Sequence, residues 1–166
     1  MATSKAYHHG DLKRALVEKC LTYVEKHGAA AVSLREIATL AKVSHGAPYR
    51  HFDDREELLA AVASEGFALL AKQIEDAMRS GRGRSKLRAI GGAYLRFAMQ
   101  RPNLHRHMFA QKAGPDAGRA FAMLLRAAED RKEAVRAWSL VHGLSILVRD
   151  GLIAKDEPAV QEFLAH

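Results

Sequence analysis

Eight side chains between positions 33 and 55 share one chemical ability. Ser33, Arg35, Ser44, His45, Tyr49, Arg50, His51 and Arg55 each carry a hydrogen-bond donor suited to phosphate oxygens or polar base edges. Gly46 and Ala47 sit among them and leave a backbone free to come close, and an Ala methyl can meet a thymine methyl. A second group lies far along the chain. Trp138 and His142 are four apart, hence neighbours on one helix face, and an aromatic wall beside one polar atom suits a small organic ligand. Phe67, Tyr94, Phe97, Met108 and Phe121 recur at helical spacing and are candidates for the same lining, although residues of this type serve more often as core.

Other chemistries fare worse. His105-Arg106-His107 places two imidazoles two residues apart, on different faces of a helix, which is poor geometry for one metal ion. The single cysteine, Cys20, rules out an internal disulfide and falls on an apolar helix face. There is no nucleophile elbow, phosphate-cradling loop or carboxylate pair at a useful spacing, so an enzyme is not expected, and neither is a cofactor.

The elements that must position these residues read as helices throughout. Leu12, Leu16, Cys20, Tyr23, Val24 and His27 mark a first helix over about 10–27, stopped by Gly28. Ser33 followed by Glu36 is a capping box for a helix over 34–42. Ser44 caps a short one over 45–52, with Pro48 in or just after its opening turn. Asp53 or Asp54 opens a long helix to about residue 79, and Ser80 to Arg84, with two glycines, reads as a linker. Further helices follow: one ended by Arg101-Pro102, one opened by Pro102, two over 117–129 and 132–150 after a break at Gly114-Pro115, and a last one over 157–165. Two short helices over 34–52 cannot bury their apolar faces alone. Ile37, Ala38 and Ala41 would pack on Tyr49, Phe52 and helix one, the pattern of a three-helix helix-turn-helix.

Composition agrees without deciding. At 166 residues and 48% hydrophobic, the chain can bury a core, and a net charge of +7 favours a polyanionic partner. From Ala77 to Pro115 there are nine Lys or Arg and no Asp or Glu, read as solvated helix faces or as attraction for an anionic effector or DNA. No apolar run is long enough to span a bilayer and no signal segment is evident, so no membrane partner and a cytoplasmic location are expected.

Three segments, Tyr7-His8-His9-Gly10-Asp11-Leu12, Ser33-Leu34-Arg35-Glu36-Ile37-Ala38 and Val43-Ser44-His45-Gly46-Ala47-Pro48-Tyr49-Arg50-His51-Phe52, closely resemble the DNA-binding head of the TetR/AcrR family of regulators. Asp54-Arg55-Glu56-Glu57-Leu58-Leu59 resembles the start of that family's fourth helix, and the match runs in register for about 60 residues. The resemblance implies a recognition helix over His45–His51, phosphate contacts from Tyr49, His51 and Arg55, and a backbone contact from Ser33. Trp138-Ser139-Leu140-Val141-His142-Gly143 is similar to the Trp-x-x-x-His-Gly signature of one branch of the family, and Tyr94 to Ala98, Pro102 to Leu104 and Met108-Phe109 are similar to earlier helices of that branch. The chain departs from the branch in a shorter connection before residue 132 and a shorter last helix.

The expectation is therefore an all-α protein: a helix-turn-helix head over 1–54, and a helical effector-binding and dimerisation domain over 55–166 entered through the helix 55–79. Its partners would be a palindromic double-stranded DNA operator, an unidentified small-molecule effector and a second copy of the chain. Val141, Leu144, Val148 and Leu152, chosen by spacing, would form the dimer contacts. A helical protein-interaction module that reads no sequence is the alternative.

Overall fold

The computed structural model describes residues 9–80, 84–110 and 117–165. Tyr7-His8, most of the Ser80 to Arg84 linker and the Gly114-Pro115 break lie outside them. Helix α1 (His9–His27) ends where Gly28 adopts φ 80°, and a single 3-10 turn over Ala29–Ala31 leads to Ser33. There the extended Ser33 accepts the Glu36 N–H on its hydroxyl at 3.1 Å and opens α2 (Leu34–Leu40).

Helix α2 closes in a Schellman arrangement: Val43 N–H donates to Ala38 O at 3.0 Å and Lys42 N–H to Thr39 O at 3.0 Å. The motif needs a left-handed residue, and Lys42 supplies it at φ 57° where glycine would cost less.

The expected helix over 45–52 is instead a turn followed by a 3-10 turn, Pro48–Arg50. The reason is local. Pro48 has no N–H to donate back, and the bonds that form are mostly i→i+3, including Ala47 N–H to Ser44 O at 2.9 Å and His51 N–H to Pro48 O at 2.9 Å.

Asp54 caps α3 (Arg55–Ser80) by accepting the Glu57 N–H at 2.8 Å, while Glu57 reaches back to the Asp53 N–H at 2.6 Å. Asp130 and Glu133 repeat the device at the head of α7 (Arg131–Arg149). Between them lie α4 (Arg84–Gln100), α5 (Pro102–Ala110, with proline at its first position) and α6 (Ala117–Ala127); α8 (Pro158–Leu164) ends the chain. Among the described residues there is no strand.

Helix α3 is the spine and touches α1, α4, α5 and α6. Leu16, Cys20 and Val24 of α1, Ile37 of α2, and Phe52 are buried with Leu58 and Val62 of α3. The buried set continues without a break through Leu70 and Ile74 to Ile90, Tyr94 and Leu104, so the two parts share one core. Gly66 sits where α5 lies against α3: a Cβ there would stand 2.7 Å from the Met108 sulfur, so a larger residue would push the Met108 side chain aside.

The basic stretch from Ala77 to Pro115 is largely paired off. Arg79 meets Asp76, Arg88 meets Glu162, Arg96 donates to Leu164 O, Arg101 binds Glu25 and Arg106 faces Asp150. Arg82 and Lys112 lie outside the described residues.

Candidate nucleic-acid interface and buried aromatic cluster

The packing that buries Leu34, Ile37, Ala38, Pro48 and Phe52 leaves their neighbours outside. Ser33, Arg35, Ser44, His45, Gly46, Tyr49 and Arg50 are exposed, with Ala47 partly so. Tyr49 is 55% exposed, an unusual setting for a large aromatic residue. The Ser33 hydroxyl accepts the helix cap and still has its own proton to donate. Thr39 Oγ1 lies 3.4 Å from His45 Nε2 and ties α2 to the following turn. Spacing alone did not single out Thr39 or Lys42, both exposed beside these residues.

Two expected contacts differ in setting. His51 is half-buried and lines an open groove of about 540 Å³ between α1 and α3 with Lys13, Arg14, Ala61, Ser64 and Glu65. Arg55 is turned inward: Nε donates to Val32 O at 2.9 Å, Nη2 to Ala29 O at 2.6 Å, and Nη1 pairs with Glu56. Its guanidinium thus fastens α3 to the carbonyls of the turn that follows α1, a positioning task the sequence pattern did not reveal.

A second assembly forms where α4, α5 and α7 meet. The Tyr94 hydroxyl lies 2.7 Å from His142 Nδ1 and 3.0 Å from His105 Nε2, joining three helices by one oxygen. Rings surround it: Phe109 is 4.5 Å from His142 and 5.3 Å from Phe67, and Trp138 is 5.2 Å from Tyr94 and 6.0 Å from Phe121. Burial pushes the Tyr94 phenol well above its ordinary range, so it keeps its proton. His105 is pushed down to about 3, first by burial and then by the His142 and Arg149 charges. His142 is lowered for the same first reason, with Arg149 contributing. Both imidazoles are therefore neutral near pH 7.

Of the seven residues expected to line a pocket, Phe67, Tyr94, Phe121, Trp138 and His142 come together here. Phe97 and Met108 do not join these rings: Phe97 lies under the Arg101 guanidinium at 6.0 Å, and Met108 packs on Gly66. His105 and Phe109 belong to the cluster and were missed as lining. Their spacing on α5 was visible, but their link to residue 142 is a matter of tertiary packing.

Helix α5 also reaches the head. Asn103 Nδ2 donates to Glu25 O at 3.0 Å, Arg101 pairs with the Glu25 carboxylate, and His107 Nε2 lies 2.8 Å from Leu59 O on α3.

The expected dimer contacts need correction. Val141 and Val148 are 2% and 3% exposed within their own chain, so they belong to its core and leave almost no area for a partner. Leu144 is half-buried and Leu152 is 74% exposed. The apolar side chains that α7 leaves in solvent are Val135, Leu140 and Leu147. A helix apolar on two faces does not announce by spacing which face its own core takes.

Cys20 is buried in α1, and its thiol is pushed up to about 12 by burial, against a smaller opposing pull from Arg55. It is an unreactive core residue at neutral pH.

Residues 23–62 match the family model described as bacterial regulatory proteins of the tetR family, and residues 87–166 match that of the tetracyclin repressor-like C-terminal domain. Among solved structures, a protein with unknown function from Rhodococcus sp. RHA1 is 29% identical, with a TM-score of 0.82 over 98% of this chain and 94% of that one. A TetR family transcription regulator from Marinobacter aquaeolei VT8 is 22% identical, with a TM-score of 0.66 over 91% of each chain. AibR, solved in complex with isovaleryl coenzyme A and operator DNA, is 18% identical, with a TM-score of 0.62 over 92% of this chain and 93% of that one.

Proposed function

This chain belongs to the TetR family of bacterial regulatory proteins and is a DNA-binding transcription regulator, and we propose that it acts as a homodimeric repressor released from a palindromic operator by a small-molecule effector. The observation that carries the reading is the exposed row Arg35, Ser44, His45, Tyr49 and Arg50 on elements whose other faces are buried. In this reading Arg50 contacts a base edge. Tyr49 holds a phosphate, Ser33, Arg35, Ser44, His45 and His51 meet the backbone beside it, and Gly46 and Ala47 allow close approach. Arg55 acts behind this surface, through its grip on Ala29 and Val32.

Residues 1–54 act as the reading head and residues 55–166 as the effector and dimerisation part, with no reaction assigned to either. Two copies pair through α7 and α8, using Leu140, Leu147 and Leu152 with Val135 at the edge. A two-fold dimer presents its two heads to successive major grooves, about 34 Å apart. The effector enters at the aromatic cluster, and AibR, of the same fold, supports one scaffold serving both an effector and an operator. Its effect reaches the head through α3 and through the α5 tie to Glu25. No described helix is long and apolar enough to cross a membrane, and the proposed site of action is the cytoplasm.

Selection of random duplexes by the purified protein, with sequencing of the bound pool, tests this reading. A palindrome with half-sites about one turn apart is expected; an unenriched pool from folded protein would overturn it in favour of an interaction module. For pairing, Leu140→Glu is expected to give a folded monomer in sedimentation, whereas Val141→Glu unfolds the chain. A dimer that survives Leu140→Glu places the interface elsewhere.

A further inference from the structure

The aromatic cluster has a buried polar inner end and a half-buried outer end. His105 is fully buried, and its Nδ1 has no hydrogen-bond partner among the described residues, although Nε2 faces the Tyr94 oxygen. Phe109, Phe121, Trp138 and His142 are only half-buried and form the side nearer solvent. A guest would thus meet rings first and a lone imidazole nitrogen last.

Charge narrows the guest further. Helices α4, α5 and α6 contain no Asp or Glu along their whole lengths. The charged groups near the imidazoles are on α5 and α7 and just beyond: Arg149 acts on both, and its partner Asp150 is 2.8 Å from Arg149 Nε and 3.9 Å from Arg106 Nη2. Two guanidiniums share one carboxylate, so the neighbourhood carries a surplus positive charge. This net positive side-chain charge favours an anionic guest over a cationic one.

We propose that the cluster is a recognition site for an aryl carboxylic acid, which binds together with one proton taken up on the Tyr94–His105–His142 chain. The inference rests on the effector reading above and names its chemistry. Tyr94 has one hydroxyl proton and faces two ring nitrogens, so it donates to one and accepts from the other. When a carboxylate reaches Nδ1, His105 gains a proton from solvent. It then donates Nδ1–H to the ligand and Nε2–H to the Tyr94 oxygen, while Tyr94 donates to His142 Nδ1. The imidazolium and the carboxylate cancel each other's charge, and the ligand ring lies among Phe109, Phe121 and Trp138.

Benzoate is the probe, with benzylamine as its cationic counterpart. Calorimetry of the full chain in phosphate and in Tris, whose ionisation heats differ, is expected to report uptake of about one proton per benzoate. Because free His105 stays neutral down to about pH 3, affinity should fall about tenfold per pH unit from about pH 5 through neutrality. Trp138, the single tryptophan, gives an independent fluorescence signal. Tyr94→Phe keeps the ring and removes the relay oxygen, and should weaken benzoate by about tenfold, as loss of a charge-assisted bond does; His142→Gln provides a second test should Tyr94→Phe not fold. Benzylamine binding as tightly as benzoate, benzoate binding without proton uptake, or no benzoate binding at millimolar concentration while the selected operator is still bound would each overturn the proposal. Loss of operator selection would instead count against the regulator reading, which keeps the two failures apart.

Discussion

The head surface and the aromatic cluster are built from the same side chains put to opposite uses. On the head, Tyr49, His45 and Arg50 stand in solvent, and the fold gains little from them. In the cluster, Tyr94 and His105 are fully buried, and the guanidinium of Arg149 is mostly so. Burial turns a tyrosine from a hand held out to a partner into a bolt between three helices. The residue types alone therefore say little about what a tyrosine or histidine does here; the depth at which it sits decides.

The largest test of that contrast is a pair of identical substitutions. Tyr94→Ala empties a ring-sized volume and orphans two imidazoles, and should cost about 3–5 kcal/mol in urea denaturation. Tyr49→Ala should change stability by no more than about 0.5 kcal/mol while weakening DNA binding. Equal effects on stability would erase the distinction.

Acid should act on the buried pair next. His105 is held down to about 3 in the fold against an ordinary 6.5, so as pH falls the unfolded chain takes up the proton first. The stabilisation is complete above about pH 6.5 and drains away as pH falls toward 3, with a slope approaching about 1.4 kcal/mol per unit. His105→Gln should flatten the denaturation midpoint between pH 6.5 and 5; a slope unchanged by that variant would assign it to other groups.

On the exposed side, Arg50→Ala should relax base preference at one operator position by roughly 1–3 kcal/mol. Tyr49→Phe should weaken every site about equally, and the reverse pattern would exchange their roles. The smallest effect is at Lys42, where a non-glycine residue holds φ 57°. Lys42→Gly should raise stability by about 1 kcal/mol, measured at the thermal midpoint.

What could be read from the chain follows from the range of the forces involved. Helix ends at Gly28, Ser33 and Asp54 were legible because a cap is settled within three or four residues. The capped helix at 45–52 was misjudged in form, since the missing N–H of Pro48 mattered more than the Ser44 signal. The buried side of α7 was not legible, because its apolar residues point both ways and only its tertiary neighbours α4 and α6 choose between them. The Tyr94–His142 bond and the inward turn of Arg55 lie beyond any local rule, since each joins residues 23 or more positions apart.

The grip of Arg101 and Asn103 on Glu25 has a mechanical consequence. It holds α1 near its C-terminal end, and α1, with 19 residues, is about 28 Å long. Leu16, Cys20 and Val24 pack α1 into the head, so the head turns with it, and a body pinned near one end is a lever. A tilt of about 5° at the pin swings the far tip by roughly 2 Å, given that length. A shift at α5 too slight to disturb its own packing would thus arrive at the other end of α1 as a stroke of the order of a bond length or more, magnified by leverage alone.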